Sequence, residues 1–371
     1  MKSPERFIQD ILATTGISLN GGNPWDIHVH NPALYRRVLS EGSIGLGESY
    51  MDGWWDSEKL DEFFYRIFIA ELHEYVEPKF QMLQQIFLAK FFNLQSKRKA
   101  FEVGEAHYDL GNDLFQIMLD PRMIYTCGYW KEARDLESAQ IAKLDLVCRK
   151  IGLHPGQRVL DIGCGWGGFA KFAAERYGVS VVGITVSKEQ AVLAREKTKG
   201  LPIEILLQDY RDVHEQFDHV ISLGMFEHVG EKNYGVYVKT ILRCLKPGGL
   251  FLLHTIGRNV SQSIIDPWTQ KYIFPNGMLP SIQHIGKAIE GLFVMEDWHN
   301  FGVDYDRTLM AWHSRFSEGW PKLEKEYGKR FFRMWRYWLL SSAASFRSRS
   351  NQLWQIVLSP KGVPGGYVSI R

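Results

Sequence analysis

The sequence is short of the features that mark specialised classes. Only four cysteines, Cys127, Cys148, Cys164 and Cys244, occur in 371 residues, and none pairs at CxxC spacing. A disulfide scaffold and a structural zinc site therefore have no support, and a reducing, cytoplasmic compartment is expected. No stretch approaches the roughly 18 consecutive apolar residues that cross a bilayer. Met1 to Thr15 carries Lys2, Glu5, Arg6 and Asp10 without an uninterrupted apolar core, so it does not read as a signal peptide. A basic excess is missing too: 44 Lys and Arg stand against 42 Asp and Glu, and nucleic acid is not the expected partner. No repeat and no low-complexity tract appears, which excludes disorder, collagen and coiled coil as descriptions of the whole.

What is abundant is aromatic: 22 Phe, 16 Tyr and 12 Trp. That many rings line a core, a ligand pocket or a membrane-facing surface. The length suggests two domains, or one large domain with an elaborated cap.

The chain changes character along its length. Residues 1–93 read as a small N-terminal domain. Gly42-Ser43-Ile44-Gly45-Leu46-Gly47 is followed by Glu48-Ser49-Tyr50 rather than the Lys-Ser/Thr of a phosphate loop, so it reads as a turn. Leu60, Phe63, Phe64, Ile67, Phe68 and Leu72 recur at helical spacing. Phe80, Leu83, Ile86, Phe87 and Phe91 form a second helical set, flanked by Lys79, Lys90, Lys97, Arg98 and Lys99. This set suits a small bundle, or an anionic membrane surface. Residues 94–106 read as a linker and 107–371 as the catalytic domain.

In that domain short apolar runs alternate with helical patterns. Strands are expected at 158–162, 179–184, 203–207, 217–223 and 250–255, with helices at 169–177, 188–199 and 237–245. Later strands are expected at 293–298 and 353–358, with the aromatic-rich helical block Leu309 to Phe346 inserted between them. Alternation of this kind predicts an α/β fold with a doubly wound, mostly parallel sheet.

The sharpest motif is Asp161-Ile162-Gly163-Cys164-Gly165-Trp166-Gly167-Gly168, between the first strand and its helix. Glycines there allow a tight turn and close approach of a ligand, and the helix N-terminus favours a negative group. Gly163, Gly165 and Gly168 also satisfy a dinucleotide fingerprint, but Asp161 tips the choice. A carboxylate attracts the ammonium of S-adenosylmethionine and repels a pyrophosphate. Thr185 stands at the second strand tip where a nicotinamide-dinucleotide reader places an acid. Glu189 or Gln190 is then placed to reach a ribose. Gln208, Asp209 and Tyr210 follow the third strand, where an adenine is expected.

Larger motifs carry a family resemblance. They are Glu105-Ala106-His107-Tyr108-Asp109-Leu110-Gly111-Asn112-Asp113, Tyr125-Thr126-Cys127-Gly128-Tyr129-Trp130, the Asp161 motif, Gly224-Met225-Phe226-Glu227-His228-Val229-Gly230, His254-Thr255-Ile256-Gly257 and Asp304-Tyr305. In order and spacing from about Glu105 to Leu358 they resemble the cyclopropane-fatty-acyl-phospholipid synthases, in the family of the mycolic acid cyclopropane synthases. Gly45-Leu46-Gly47-Glu48-Ser49-Tyr50-Met51-Asp52-Gly53-Trp54-Trp55 resembles the N-terminal part of the two-domain phospholipid enzymes.

The resemblance implies a Rossmann-like class I S-adenosylmethionine-dependent methyltransferase sheet with helical insertions, preceded by the small N-terminal domain. It implies cofactor contacts at Tyr125, Thr126, Gly163, Gly165, Gly167, Thr185, Gln190 and the Tyr210 region. It implies a bicarbonate ion held by Cys127, Glu227, His254, Tyr305 and the Ile256 backbone, acting as general base while a methyl group adds to a cis alkene and closes a ring. The implied partners are unsaturated phospholipid and a second copy of the chain, at the inner face of the membrane. Some relatives carry a cysteine where this chain has Ser342, so a covalent cysteine step at that position has no support. Ile264, Ile265, Trp268, Tyr272, Ile273, Phe274, Met278 and Leu279 are candidates for an acyl channel, with plain core packing as the alternative for each. Competing functions are methylation of a small amine on the same scaffold, a membrane-binding scaffold protein and a nicotinamide-dependent oxidoreductase.

Overall fold

The computed structural model describes residues 2–72, 95, 111–262 and 265–371. The Phe80–Phe91 set and its basic flanks Lys79, Lys90, Lys97, Arg98 and Lys99, residues 105–110 of the first long motif, and Ile264 lie outside the described residues. The chain divides into two compact units, and both are discontinuous in sequence.

The first unit comprises Met1–Phe92, Ile264–Pro275 and Tyr305–Asn351. Its described N-terminal part holds helices Pro4–Leu12, Ala33–Glu41, Ser43–Met51 and Leu60–Ile69, and a two-stranded antiparallel ribbon of β1 (His28–Val29) and β2 (Trp55–Asp56). The glycines expected to form a turn instead build a helix. Gly42, at φ +60°, separates Ala33–Glu41 from Ser43–Met51, and Gly45 and Gly47 lie inside the second of these helices. A Cβ on Gly45 would stand 2.5 Å from the Arg37 carbonyl oxygen, and one on Gly47 would stand 2.4 Å from the Trp268 ring. The missing side chains serve close packing.

The late helical block groups with this unit rather than standing as an insertion in the sheet domain. The reason is visible in its contacts. Tyr337 packs against Tyr50 (centroids 5.6 Å), Phe64 (4.9 Å) and Trp268 (4.4 Å). Arg333 lies over the Tyr50 ring at 4.0 Å and donates to Asp56 at 2.7 Å. Arg347 bonds Asp61 at 2.8 Å and Asp306 through two nitrogens at 2.9 and 3.0 Å. Much of the aromatic excess is thus spent on this core.

The second unit comprises Asn93–Ser263, Asn276–Asp304 and Gln352–Arg371. Its centre is a seven-stranded sheet of β3 (Arg158–Ile162), β4 (Ser180–Thr185), β5 (Ile203–Leu207), β6 (Phe217–Leu223), β7 (Leu245–Arg258), β8 (Val294–Asn300) and β9 (Asn351–Ser359). The order is β5-β4-β3-β6-β7-β9-β8. The first five strands are parallel neighbours, and β8 runs antiparallel to β9. β7 is much longer than the expected 250–255. Lys246-Pro247-Gly248-Gly249, between the expected helix 237–245 and strand 250–255, lies inside it at an irregularity of register, where Phe217 pairs Leu245 and His219 pairs Leu250. The helix before β7 runs Glu231–Cys244 rather than beginning at Tyr237.

Both faces of the sheet are covered, so its strands read as nearly continuous apolar runs. Leu160, Ile162, Val182, Ile184, Val220 and Leu253 enter one core cluster. Val159, Val181, Ile221 and Leu252, their neighbours in sequence, enter the other, with Leu144, Val147 and Phe169 from helices Leu136–Lys150 and Gly168–Tyr177. Among the described residues no helix is long and apolar enough to cross a membrane.

Candidate active site

The strand order reverses between β3 and β6, and a doubly wound sheet binds ligands outside the carboxyl ends of its strands at such a point. Asp161 pairs with Gly183 on one side and Ile221 on the other, and Leu223 pairs with His254. The glycine loop, Thr185, Gly224 and His254 therefore all stand at one edge.

Asp161 is 2% exposed, and its Oδ2 has no hydrogen-bond partner. Burial pushes its carboxyl up to about 7, with the Lys143 charge drawing it back. An orphaned, buried carboxylate oxygen at a ligand-binding edge fits an incoming ammonium. Next to it Gly163 takes φ +83°, and a Cβ there would stand 2.8 Å from the Met225 Cβ. Gly165 and Gly167 share positive φ, and Gly167 precedes helix Gly168–Tyr177. The residues present fit the amino-acid end of S-adenosylmethionine.

At the tip of β4 the Thr185 hydroxyl donates to Gln190 Oε1 at 2.8 Å, and the Ser187 amide donates back to Thr185 Oγ1 at 3.2 Å. Gln190 is buried whereas Glu189 is exposed. Gln208 donates its amide to the Thr185 carbonyl at 2.9 Å, tying the third strand tip to the second. Asp209 accepts from the Arg211 amide at 2.9 Å and its guanidinium at 3.0 Å. Tyr210 is 4% exposed, its ring meets Tyr237 edge-on at 5.1 Å, and the Arg211 guanidinium lies over it at 4.7 Å.

Tyr125-Thr126-Cys127 crosses helix Leu136–Lys150. Gln140 donates to the Thr126 carbonyl at 2.7 Å, and Lys143 donates to Thr126 Oγ1 at 2.8 Å. The Tyr125 ring meets Phe115 edge-on at 5.1 Å. Cys127 is fully buried, with Sγ 3.1 Å from the Gly128 carbonyl oxygen.

Glu227 lies in a short 3-10 turn after β6 and is held from β7. The Ile256 amide donates to its Oε1 at 2.7 Å, while Oε2 is buried without a partner. Burial pushes this carboxyl up to about 7 against the Ile256 and Glu227 amides and the Thr255 hydroxyl, which favour its charged form. The Ile256 backbone, expected to hold an anion, is thus already engaged: its amide by Glu227, and its carbonyl by the Thr255 hydroxyl at 3.0 Å. His254 is 1% exposed, and the Gln355 amide nitrogen faces its Nδ1 at 3.3 Å. Burial, with the charges of Lys143 and Lys150, holds the imidazole well below its usual range and hence neutral. With Nδ1 accepting, the proton resides on Nε2, which has no partner. Tyr305 belongs to the first unit, 8% exposed, with its ring 4.6 Å from Phe346 and 6.0 Å from Trp312. The neighbouring Asp304 accepts from the Trp130 amide at 2.7 Å. Of the channel candidates, Trp268 is core in the first unit, while Met278 joins the main cluster of the second.

Sequence reasoning missed Gln140, Lys143 and Gln355. The signal for the first two was present. Leu136, Gln140, Lys143 and Val147 are spaced four, three and four apart, which places the two polar residues on the buried stripe of one helix.

The comparisons with known proteins agree with this geometry. The family described as mycolic acid cyclopropane synthetase matches residues 95–356. The cyclopropane-fatty-acyl-phospholipid synthase of Escherichia coli (strain K12) is 55% identical over 361 residues, 97% of this chain and 94% of that one. Among solved structures, the mycolic acid cyclopropane synthase CmaA1 complexed with SAH and CTAB superposes with a TM-score of 0.65 at 31% identity, over 70% of this chain and 97% of that one. Coclaurine N-methyltransferase, at 21% identity and a TM-score of 0.70, covers 85% of this chain and 98% of its own. At that identity the likeness concerns the fold alone, which is that of the class I S-adenosylmethionine-dependent methyltransferases.

Proposed function

Since the chain belongs to the mycolic acid cyclopropane synthetase family, we propose that it methylates the cis double bond of unsaturated acyl chains in membrane phospholipids and closes a cyclopropane ring, with bicarbonate as general base. The observation that carries this reading is the set of three buried, unpartnered polar atoms: Asp161 Oδ2, Glu227 Oε2 and His254 Nε2. The first suits the ammonium of S-adenosylmethionine, and the other two suit a small oxyanion.

S-adenosylmethionine, when bound, supplies an electrophilic methyl group on a sulfonium. Asp161, the glycine loop, Thr185 and Gln190 would hold it. An alkene is a weak nucleophile, and ring closure after methyl transfer requires a proton to leave the new methyl group. Neither Glu227 nor neutral His254 is needed as the base itself. His254 donates through Nε2–H, and Glu227 carries its own proton part of the time at neutral pH, so both can donate to an anion. That removes the repulsion a fully ionised carboxylate would impose. Burial of the set excludes bulk water and strengthens these hydrogen bonds.

In this reading the enzyme works as a homodimer at the inner membrane surface, and the N-terminal domain with its Phe80–Lys99 segment meets lipid. The test of function is incubation with S-adenosylmethionine bearing a deuterated methyl group and vesicles of unsaturated phospholipid, followed by lipid mass analysis. A ring product retains two of the three deuterons, because one leaves with the base. Retention of all three on an amine headgroup would establish amine methylation instead.

A further inference from the structure

Lys143 is a fully buried charged group of the second unit's site that the reading above leaves without a role. It is 0% exposed. A buried ammonium is costly unless paired, and an isosteric apolar residue would serve the core better. Its hydrogen bond goes to Thr126 Oγ1 at 2.8 Å, one helical turn after Gln140 fixes the carbonyl of the same residue at 2.7 Å. One helix thus grips Thr126 by side chain and backbone. Because the Thr126 oxygen accepts from an ammonium, its own O–H is left to donate.

The surroundings of Lys143 are acidic. Asp120, Cys127 and Asp161 each favour its charged form, against the burial that lowers it to about 8. Asp120 is engaged by the amides of Ile124 at 2.9 Å and Arg122 at 3.2 Å, and Arg122 lies 4.0 Å away as a second cation. Asp161 has no such support. The described charge that opposes its burial is that of Lys143, while the charge of Asp161 itself disfavours ionisation of Cys164 and Tyr237. The same charge reaches His254 and helps keep it neutral.

We propose that Lys143 is a positioning residue for the cofactor: it fixes the Thr126 hydroxyl as a donor and favours the charged form of the Asp161 carboxylate for the cofactor's ammonium. The proposal rests on the reading that Asp161 binds that ammonium. Without Lys143 the Asp161 carboxyl titrates at higher pH, so a larger share of it is protonated near neutrality. Binding an ammonium must then expel that proton.

The test uses the full chain and S-adenosylhomocysteine, which binds without reacting. Calorimetry in buffers of different ionisation enthalpy gives both affinity and the protons released. In Lys143→Met, affinity near pH 7 should fall about fivefold, the loss of ionised carboxylate that one unit of displacement from about 7 brings. Proton release per ligand should rise above that of the parent protein, and affinity should recover as pH rises toward 9. Thr126→Val should weaken binding without changing proton release, since it leaves the charge in place. If Asp161→Ala binds the ligand as tightly as the parent, the cofactor reading fails and this proposal with it. If Asp161→Ala loses binding while Lys143→Met keeps parental affinity and proton release, the role of Lys143 alone is overturned. Removing a buried charge is not expected to unfold the protein, and Lys143→Gln gives a second variant with the same expected direction.

Discussion

The Ile256 amide holds Glu227 by one carboxylate oxygen, at 2.7 Å, and leaves the other buried and unbonded. One residue is thereby oriented by β7 and presents a single oxygen to whatever the site receives. The first prediction follows from that division. Glu227→Gln keeps the oxygen that Ile256 needs and removes the shared proton. Turnover should fall at least about 100-fold, the lower range for general-base assistance, while S-adenosylhomocysteine affinity stays close to the parent's. Normal turnover of folded Glu227→Gln in bicarbonate-depleted buffer would refute the role.

The same variant has a stability signature of opposite sign. Burial raises the Glu227 carboxyl to about 7 in the folded state, from 4.5 as its ordinary value. The folded state therefore holds the proton more tightly, and stability from this group is fully present below pH 4.5 and lost as pH rises through about 7. Glu227→Gln carries no such loss. Its melting temperature should exceed that of the parent at pH 8, by an amount on the order of 3 kcal/mol in stability, and the gap should close as pH falls toward 4.5. A gap independent of pH in thermal unfolding would show that the carboxyl is not perturbed as described.

Asp161→Ala and Gly163→Val address the cofactor from two directions. One removes the carboxylate, and the other puts a branched side chain at φ +83° against Met225. Each should reduce S-adenosylhomocysteine binding below calorimetric detection in protein whose circular dichroism is unchanged. Near-parental affinity in both would end the methyltransferase assignment of this loop.

Gly47 is a packing test in the other unit. Gly47→Ala gains helix propensity of about 1 kcal/mol but sets a Cβ 2.4 Å from the Trp268 ring. Overpacking should win, for a net loss of about 1 to 2 kcal/mol by denaturant titration. Trp268→Phe in the same chain should return part of that loss, and strictly additive effects would contradict the contact.

For the membrane, sedimentation with anionic vesicles is the direct assay. The aromatic and basic Phe80–Lys99 stretch should carry the protein down at low salt, and raising salt should release it. Replacing Lys97, Arg98 and Lys99 by Gln should shift the release to lower salt. Binding that ignores both salt and these substitutions would assign lipid contact elsewhere.

What the sequence disclosed, and what it did not, divides along physical lines. Strand β3, the Asp161 loop and the tips at Thr185 and Glu227 were legible because short apolar runs ending in glycine or a polar residue have few other readings. Gly45 and Gly47 were misread because a glycine selected for tight packing inside a helix looks the same as one selected for a turn. Lys143 was overlooked because its helix is amphipathic only weakly, and a lysine is ordinarily assigned to solvent. The contact of Tyr210 with Tyr237 depends on a helix 27 positions away in the numbering, which local pattern cannot reveal. The grouping of Arg333, Tyr337 and Arg347 with residues 50–61 is likewise non-local.

Strand β9 follows β8 in the chain, yet it takes an inner place in the sheet, between β7 and β8. During synthesis both of those neighbours must wait with open edges, and the first unit also waits for Tyr305–Asn351. Neither unit can close on a nascent chain before Asn351 and β9 have been made. The interval of exposed strand edge is when this protein is most open to aggregation and most in need of a chaperone.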